Sequence, residues 1–192
     1  MKNGKDSLVN LARFSNPDFD RGASKLKELL WLKIRSLFFL NYIFTGYKVK
    51  AEILKKFGAK LGKNVIIKPI VKIKFPWKLE VGNNSWLGEN IWILNLDKVT
   101  IGANVCISQN SFLCTGNHNW KKETFDLITK PIVIKDGAWV CANVFIGPGV
   151  TVGYNTIITS GSVVTKNMPD NMICSGNPCK PVMKRIFKSE KQ

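Results

Sequence analysis

Aliphatic residues recur at every sixth position over more than half of the chain. The positions are Leu61, Ile67, Ile73 and Leu79, then Val81, Leu87, Ile93 and Val99, then Ile101, Ile107 and Leu113, and after an interruption Ile134, Val140, Ile146, Val152, Ile158 and Val164. A six-residue period matches neither an α-helix nor an alternating strand. It predicts a mainly β protein with a parallel β-helix, in which six residues form one flat face and one aliphatic side chain per face points into a continuous core.

Small residues follow many of these aliphatic positions, as in Val81-Gly82 and Ile101-Gly102. They predict corners where the backbone needs unusual angles or a close approach. Two-residue shifts of the period before Val81 and before Ile101 predict extra residues at a corner. The stretch from Cys114 to Pro131 predicts a larger loop that leaves the solenoid. Insertions in repeat proteins map to one face, which is often the binding face.

A different pattern precedes the repeat. Apolar residues at positions 26, 29, 30, 31, 34, 37 and 38 follow helical spacing with basic residues between them, and the apolar run continues to Phe44. Lys33 and Arg35 leave too short an apolar run for a membrane-spanning helix, which needs about 20 residues. Two interpretations stay open: a helix that caps the open first coil, and a basic amphipathic helix at an anionic membrane surface.

The chain therefore divides into three parts: a basic, amphipathic helical extension at 1–60, a β-helix domain at 61–179 with its loop at 114–133, and a basic tail at 180–192. The net charge of +16 is concentrated at the two ends, since residues 1–60 hold 13 Lys/Arg against 5 Asp/Glu and the tail holds 5 against 1. Such ends attract nucleic acid, anionic lipid or phosphorylated ligands. Without interleaved aromatic residues or a known binding motif, we expect no nucleic-acid partner.

Cysteine usage and the first residues bear on location. The five cysteines form no CxxC pair and are odd in number, a pattern typical of a reducing compartment. The polar start, Met1 to Asn10, does not resemble a secretory signal. We expect a cytoplasmic protein, at the inner face of the membrane if the amphipathic segment binds lipid.

Eight segments carry a resemblance to a known family. They are Phe57-Gly-Ala-Lys-Leu-Gly62, Pro76-Trp-Lys-Leu-Glu80, Trp92-Ile-Leu-Asn-Leu-Asp97, Thr115-Gly-Asn-His118, Phe125-Asp-Leu-Ile-Thr-Lys-Pro131, Gly147-Pro-Gly-Val150, Val164-Thr-Lys166 and Gly176-Asn-Pro178. From about Asn16 to Arg185 the chain resembles the left-handed hexapeptide acyltransferases, and within them the O-acetyltransferases of exopolysaccharide synthesis of the colanic-acid type. The resemblance implies a left-handed β-helix, a homotrimer with an active site at each subunit interface, acetyl-CoA as co-substrate without a metal, and a sugar hydroxyl as acceptor.

His118 is the candidate general base. Acetyl transfer to a hydroxyl needs a group that removes the proton as the oxygen attacks the thioester, and histidine, with an ordinary pKa of about 6.5, is the usual choice. The chain has one histidine, and its place in the loop matches the catalytic histidine of the family. Relatives commonly have an aspartate directly after it, where this chain has Asn119, which would orient or charge-stabilise the imidazole less well. Backbone carbonyls can do the same orienting. The repeat phase of Cys114 favours packing over a nucleophilic role.

The resemblance also implies substrate contacts. Asn95 and Asp97 match positions that face the sugar, with a hydrogen-bonded corner of the solenoid as the alternative, and Asn117 and Trp120 are acceptor candidates by their position in the loop. For coenzyme A the implied set is Trp139, Ala142, Ser160, Thr165, Lys166, Lys180 and Lys184. The small residues of this set allow the pantetheine arm to lie close to the backbone, and the lysines offer charge to the phosphates. Arg185 is an equal candidate to Lys184, and a solvated surface is the alternative for the whole tail.

The same residues bear on three other functions. A zinc-dependent carbonic anhydrase with this fold needs three histidine ligands, which one histidine per chain does not supply. An amino-sugar or antibiotic acceptor would leave the fold and donor site unchanged. A non-catalytic, membrane-associated scaffold would have no need for the His118 loop or for the Thr165-Lys166 segment. The identity of the sugar, its acetylated hydroxyl and its carrier stay open.

Overall fold

The computed structural model describes residues 8–187. It contains two α-helices, α1 (Lys25–Phe38) and α2 (Tyr47–Lys56), and two short 3₁₀ helices, Leu11–Arg13 and Pro76–Lys78. The strands are β1 (Lys60–Leu61), β2 (Ile66–Ile67), β3 (Lys72–Ile73), β4 (Leu79–Val81), β5 (Trp86–Leu87), β6 (Trp92–Leu94), β7 (Val99–Ile101), β8 (Cys106–Ile107), β9 (Phe112–Cys114), β10 (Gly116–His118), β11 (Leu127–Thr129), β12 (Ile132–Ile134), β13 (Trp139–Val140), β14 (Phe145–Ile146), β15 (Thr151–Val152), β16 (Ile157–Ile158), β17 (Val163–Val164), β18 (Met172–Gly176) and β19 (Cys179–Lys184).

Short strands from successive coils stack into three parallel sheets. The first sheet has the order β1-β4-β7-β12-β15, the second runs from β2 through β5, β8, β13 and β16 to β18, and the third has the order β3-β6-β9-β14-β17. The aliphatic residues of the six-residue series face each other from coil to coil, as in the pairs Leu61 with Val81 and Val81 with Ile101. From Ile67 onward every residue of that series is buried. The predicted parallel β-helix with N-terminal helices and a protruding loop is therefore confirmed.

At the repeating corner between the first and second sheets, different residues provide the close approach of the coils and the left-handed backbone angles. The sequence pattern predicted both for the small residues. Gly82 has no left-handed backbone, but a Cβ at this residue would lie 2.5 Å from the backbone nitrogen of Ala103. In the first three coils the left-handed angles of this corner belong to asparagines, with φ of 56°, 58° and 56° at Asn64, Asn84 and Asn104, and in the next coil Gly137 takes the position with a φ of 70°. Their amides form a ladder, Asn64 donating to Asn84 at 3.0 Å and Asn84 to Asn104 at 3.4 Å. Glycine thus permits close approach of the coils, and asparagine makes the turn.

The two helices cover the open end of the first coil. Between coils, an N–H of one coil donates to a carbonyl of the next, as Lys74 does to Ile93 at 3.0 Å. The first coil has no coil before it, and the Trp31 indole donates to the Ile73 carbonyl at 3.1 Å instead. The ammonium of the buried Lys50 donates to another carbonyl of this coil at 3.3 Å, and burial lowers the pKa of Lys50. The helices thus lie over the first coil as the capping interpretation expects, because buried carbonyls need such partners.

The opposite face of α1 is apolar and exposed. Leu26, Leu29, Leu30 and Leu37 are 52–77% exposed, whereas Trp31 on the inner face is fully buried. Within residues 8–187, no helix combines the length and the hydropathy that a membrane crossing requires.

At the C-terminal end, β18 pairs in parallel with β16 and then antiparallel with β19. Residues up to Lys184 of the predicted tail therefore lie in a strand, and residues 188–192 lie outside the described part. Arg185 donates to the carbonyls of Gly137 at 3.2 Å and Asn155 at 2.9 Å. These contacts hold Arg185 against the solenoid, which leaves Lys184 as the candidate of the pair for a phosphate.

All departures from the regular coil in its first three turns fall at one corner. Val81 pairs with Ile101, 20 residues later, and Ile101 pairs with Ile134, 33 residues later, while a regular coil has 18 residues, from Ile134 to Val152. The extra residues lie between the third and the first sheet, in 74–78, 95–98 and 115–131. We refer to these three segments as the insertion corner.

Candidate active site

The loop of the insertion corner folds as an antiparallel hairpin of β10 and β11. Its register pairs Asn117 with Ile128 and His118 with Leu127. Because successive side chains of a strand point to opposite faces, His118 and Leu127 lie on one face of the hairpin and Asn117 and Ile128 on the other.

The imidazole of His118 is oriented by Phe125. Its Nδ1 lies 2.8 Å from the Phe125 carbonyl oxygen, and a carbonyl only accepts, so Nδ1 carries the proton. In the neutral ring Nε2 is then the basic nitrogen. The Phe125 ring stacks on the imidazole with centroids 4.4 Å apart and planes inclined by 6°. Phe125 adopts a φ of 51°, a left-handed conformation that is rare for a bulky residue and that accompanies the contact between its carbonyl and the imidazole.

Asn119, which follows the histidine, does not contact the imidazole in this way. Its side-chain oxygen accepts the Lys121 N–H at 3.1 Å and so stabilises a turn of the loop. The backbone carbonyl of Phe125 supplies the orienting contact that an aspartate would otherwise give.

Residues 10–20, which we call the N-terminal strap, cross the hairpin. Three contacts join them to it: the Asn10 N–H to the Glu123 carbonyl at 2.9 Å, the Arg13 guanidinium to the Glu123 carboxylate at 3.2 Å, and the Leu127 N–H to the Asn16 side-chain oxygen at 3.2 Å. The ring of Phe14 lies 5.8 Å from the imidazole of His118 between centroids. The strap therefore packs on the histidine-bearing face of the hairpin.

A cavity of about 750 Å³ lies beside this face of the hairpin. The strap, the 3₁₀ helix Pro76–Lys78 and residues 96–98 form its walls, and Leu127 and Thr129 of the hairpin complete it. Asp97, one of the predicted sugar contacts, belongs to the lining. The ammonium of Lys78 joins two walls by donating to the carbonyls of Asp20 at 2.5 Å and Leu96 at 2.7 Å, and its burial lowers the pKa of Lys78.

A smaller cleft of about 360 Å³ lies against the other face of the hairpin. Asn117 and Ile128 line it together with Lys130, Phe145 and Thr165. The fold thus brings Asn117, predicted for the acceptor, next to Thr165, predicted for coenzyme A. The hairpin that carries His118 separates the two cavities.

Three candidates of the sequence analysis have a structural or peripheral place. Asn95 is buried, and its amide accepts the Phe75 N–H at 2.9 Å and donates to the Phe75 carbonyl at 2.6 Å. The alternative for Asn95, a hydrogen-bonded corner, therefore replaces the predicted sugar contact. Trp120 is 72% exposed and lines neither cavity. Cys114 is buried and its thiol donates to the Gly116 carbonyl at 3.2 Å, in line with packing.

The predicted coenzyme A residues lie on several surfaces of one protomer. Lys166 is exposed beside Thr165 at the smaller cleft, and Lys180 and Lys184 are exposed on β19. Ala142 and Ser160 lie at the corner between the second and third sheets, and Trp139 lies on the outer face of the second sheet. The cleft of a single protomer therefore gathers only part of the set.

Sequence reasoning gave no role to Phe125, Lys78 or the strap. The contribution of Phe125 comes from its backbone carbonyl, and the strap has no periodic pattern. In the sequence, the six-residue period is interrupted in three successive coils. This interruption indicates where the insertion corner lies, but not that the strap packs against it. In the described part of the chain, no group of three or more His, Cys, Asp or Glu residues is arranged to hold a metal ion.

Comparison with known proteins agrees with this fold. The chain belongs to the hexapeptide-repeat acetyltransferase family. It is 40% identical over 179 residues to the Escherichia coli K12 protein that carries the name colanic acid biosynthesis acetyltransferase WcaF, covering 93% of this chain and 98% of that protein. It is 33% identical over 136 residues to the galactoside O-acetyltransferase of the same organism, covering 69% and 67%. No family model matches the chain.

Solved structures with the same fold were crystallised with coenzyme A or its acetyl form. A galactoside acetyltransferase in complex with coenzyme A superposes with a TM-score of 0.76 at 28% identity, covering 87% of this chain and 88% of that one. The hexapeptide-repeat acetyltransferase of Vibrio cholerae O1 biovar eltor, complexed with acetyl-CoA, shares the fold with a TM-score of 0.75 at 23% identity, covering 86% and 92%.

Proposed function

We propose that this enzyme transfers the acetyl group of acetyl-CoA to a sugar hydroxyl in polysaccharide biosynthesis, with His118 as the general base. The observation that carries the proposal is the hydrogen bond from Nδ1 of His118 to the Phe125 carbonyl. It leaves Nε2 as the basic nitrogen. His118 itself is not part of the lining of the larger cavity, but it shares a face of the hairpin with Leu127, which is. The names of the relatives, a colanic acid biosynthesis acetyltransferase and a galactoside O-acetyltransferase, support the acceptor class.

In the proposed reaction, the acceptor hydroxyl attacks the thioester carbonyl directly while Nε2 of His118 removes its proton. The carbon–oxygen bond forms, the carbon–sulfur bond breaks, and the proton passes from Nε2 to the departing sulfur of coenzyme A. The imidazolium that forms in between keeps its Nδ1–H bond to Phe125, which stabilises the positive charge because hydrogen bonds to charged groups are stronger than neutral ones.

The two cavities suit the two substrates. We assign the sugar to the larger cavity, with Asp97 in its lining. The thioester has to meet the sugar on the His118 face of the hairpin, so the smaller cleft on the other face, with Thr165, holds a part of acetyl-CoA behind the thioester in this assignment. Ala142, Ser160 and Trp139 serve the pantetheine arm in this assignment, and Lys166, Lys180 and Lys184 serve the phosphates.

The test is thiol release from acetyl-CoA with a panel of sugars, amino sugars and antibiotics, comparing the wild type with His118→Ala. We expect release to depend on a sugar acceptor and to fall at least about 100-fold in the variant, since general bases contribute roughly 10²–10⁴-fold. Asn119→Ala is the matched control, with nearly full activity. Equal rates for wild type and His118→Ala would remove His118 from the mechanism. Preference for an amino sugar or antibiotic would replace the acceptor class, and a scaffold would release no thiol and gain no thermal stability from acetyl-CoA.

We also propose a homotrimer. The outer faces of the sheets carry exposed tryptophans, among them Trp86 and Trp139 on the second sheet and Trp92 on the third, where it stacks on Phe112 with ring centroids 4.5 Å apart. Large exposed aromatic side chains favour a partner surface, and the dispersed coenzyme A residues of one protomer would be completed by another. Light scattering should give three times the chain mass of 21.6 kDa; a monomer at micromolar concentration would contradict the proposal.

Peripheral association with an anionic membrane is a further part of the proposal, with a cytoplasmic location suggested by the five free cysteines. The exposed leucines of α1 and the basic Lys33 among them form a face typical of interfacial helices. Sedimentation with phosphatidylglycerol vesicles, but not with phosphatidylcholine vesicles, is expected for the wild type. The exposed pair Leu30→Gln and Leu37→Gln should abolish it, and unchanged sedimentation would contradict it.

A further inference from the structure

The N-terminal strap forms one wall of the larger cavity, and residues of the solenoid form the others. Every residue from Ser15 to Asp20 contributes to the lining. The strap is fixed at both ends of this stretch, by the Asn16 contact to the hairpin and by the Lys78 contact to the Asp20 carbonyl. The Trp77 indole adds a bond to the Arg21 carbonyl at 2.7 Å. The strap therefore closes one side of the cavity, although these residues precede the first coil by 40 positions or more.

The lining of the larger cavity has a negative net charge, whereas the whole chain has a positive one. The lining contains the carboxylates of Asp18, Asp20, Glu80, Asp97 and Asp126, and it contains the ammonium groups of Lys60, Lys78 and Lys98. Five acidic groups against three basic ones give an acidic cavity in a chain of net charge +16. The smaller cleft has the opposite character, since Lys130 is the charged residue of its lining.

The lysines of the cavity already have partners. Lys60 and Lys98 lie 2.8 Å and 2.9 Å from the Glu80 carboxylate, and these contacts lower the pKa of Glu80. Lys78 donates to two backbone carbonyls. A phosphate or a carboxylate in the cavity would meet no ammonium group that lacks a partner, and it would meet several carboxylates of like charge.

Hydroxyl donors would find acceptors in the same place. Among residues 8–187, the carboxylate of Asp18 makes no hydrogen bond or ion pair. Asp20 and Asp97 each use one oxygen, for the N–H groups of Gly22 at 2.7 Å and Lys98 at 2.6 Å, which leaves the second oxygen of each. Phe19 and Trp77 add aromatic surface to the lining.

We propose that the N-terminal strap is the acceptor-recognition element, and that the part of the acceptor bound in this cavity is an uncharged saccharide of more than one sugar ring. The inference rests on the proposed function and narrows its substrate class. A volume of about 750 Å³ lies in the upper part of the roughly 300–1,000 Å³ range of ligand pockets, which gives room for a disaccharide or larger unit. A nucleoside diphosphate or a uronic acid in the cavity is excluded by the proposal, so any phosphate-bearing carrier has to extend out of it.

The first test compares three acceptors with one another: a neutral trisaccharide, the same trisaccharide with one uronic acid, and a nucleotide sugar. We expect the KM of the neutral trisaccharide to be at least about tenfold lower than those of the other two, because the carboxylates of the lining repel an anion of like charge. Calorimetric binding of the same compounds should give the same order. Equal or better use of the uronate or the nucleotide sugar would overturn the inference.

The second test addresses the strap itself. Asp18→Asn should raise the acceptor KM about tenfold, as expected for a hydrogen bond to a charged group, while the KM for acetyl-CoA stays unchanged. Asp18→Lys should reduce the discrimination against the uronate. Glu52→Gln on the exposed side of α2 is the control, with both KM values at the wild-type level. Equal changes in both KM values, or no change in either, would contradict a role in recognition.

Thiol release tests the proposed function, and calorimetric binding tests the saccharide preference independently of it. Absence of thiol release with every acceptor would contradict the proposed function, while calorimetry would still show whether the neutral saccharide binds in preference to the charged ones. Binding of none of them would overturn the inference as well.

Discussion

Two corners of the same solenoid differ in what each coil adds to them. At the asparagine corner, each coil contributes the same turn, and Asn64, Asn84 and Asn104 bond to one another in a ladder. At the insertion corner, successive coils contribute a 3₁₀ helix, a short loop and a hairpin. The repeated corner holds the coils together, and the irregular corner holds the candidate site.

The difference shows how one fold carries both stability and chemistry. A residue such as Asn84 has an equivalent asparagine in the coil above and in the coil below, so its loss is felt as a loss of packing. A residue of the insertion corner has neighbours that occur once in the chain, such as the pair of His118 and Phe125. We therefore expect substitutions at the first corner to change the free energy of unfolding and substitutions at the second to change activity.

The largest expected effect tests the repeated part. Gly82→Ala should lower the free energy of unfolding by about 3 kcal/mol or more, because the new Cβ would meet backbone atoms of the next coil at 2.5 Å that have no room to move. Gly161→Ala is the matched comparison: its φ is 71° and nothing lies within 4 Å of the new Cβ, so only backbone strain of about 1–2 kcal/mol is expected. Chemical denaturation measures both. Equal losses would show that the coils do not approach each other as closely as described.

A smaller effect, on activity alone, tests the insertion corner. Phe125→Gly keeps the left-handed backbone and the carbonyl but removes the ring that stacks on His118. We expect kcat to fall roughly threefold to tenfold through looser positioning of the imidazole, with an unchanged thermal midpoint. Phe125→Tyr retains the ring and should restore most of the rate. If Phe125→Gly instead lowered the midpoint and left kcat intact, the contrast between the two corners would not hold.

The smallest expected effect concerns the free energy of unfolding at alkaline pH, through the buried thiol of Cys174. Burial raises the pKa of Cys174 to about 11, with a smaller contribution from Cys179. In the unfolded chain this thiol loses its proton at lower pH, near its ordinary value, so the unfolded state is favoured increasingly as pH rises from about 9 to about 11. The free energy of unfolding should therefore decline over this window, and less steeply in Cys174→Ala. Parallel pH profiles for the two proteins would contradict the assignment.

The fold was predictable because each inward position of the repeat is decided locally. Ile107 and Val140 follow the period, and both are buried. His118 was predictable as the one histidine, in a loop that interrupts the period. The structural role of Asn95 was not predictable, because an amide at a corner can either face a ligand or bond to the neighbouring backbone. The hydrogen bond to Phe75 that decides between these roles joins two coils.

The strap could not be predicted at all. Residues 8–20 show no period, and the ion pair between Arg13 and Glu123 joins residues 110 positions apart. The outward face of α1 could not be predicted either. The leucine spacing predicted an amphipathic helix but not which leucines would be left exposed.

The cap on the first coil has a consequence for the behaviour of whole molecules in solution. A solenoid with a bare end presents unpaired carbonyls and an open aliphatic core, which is the geometry that lets β-structures add to one another end to end. Trp31 and Lys50 occupy those carbonyls, and the side chains of Trp31, Phe39 and Leu54 close the core. The helical segment thereby removes from the first coil the open edge to which another β-structure could add.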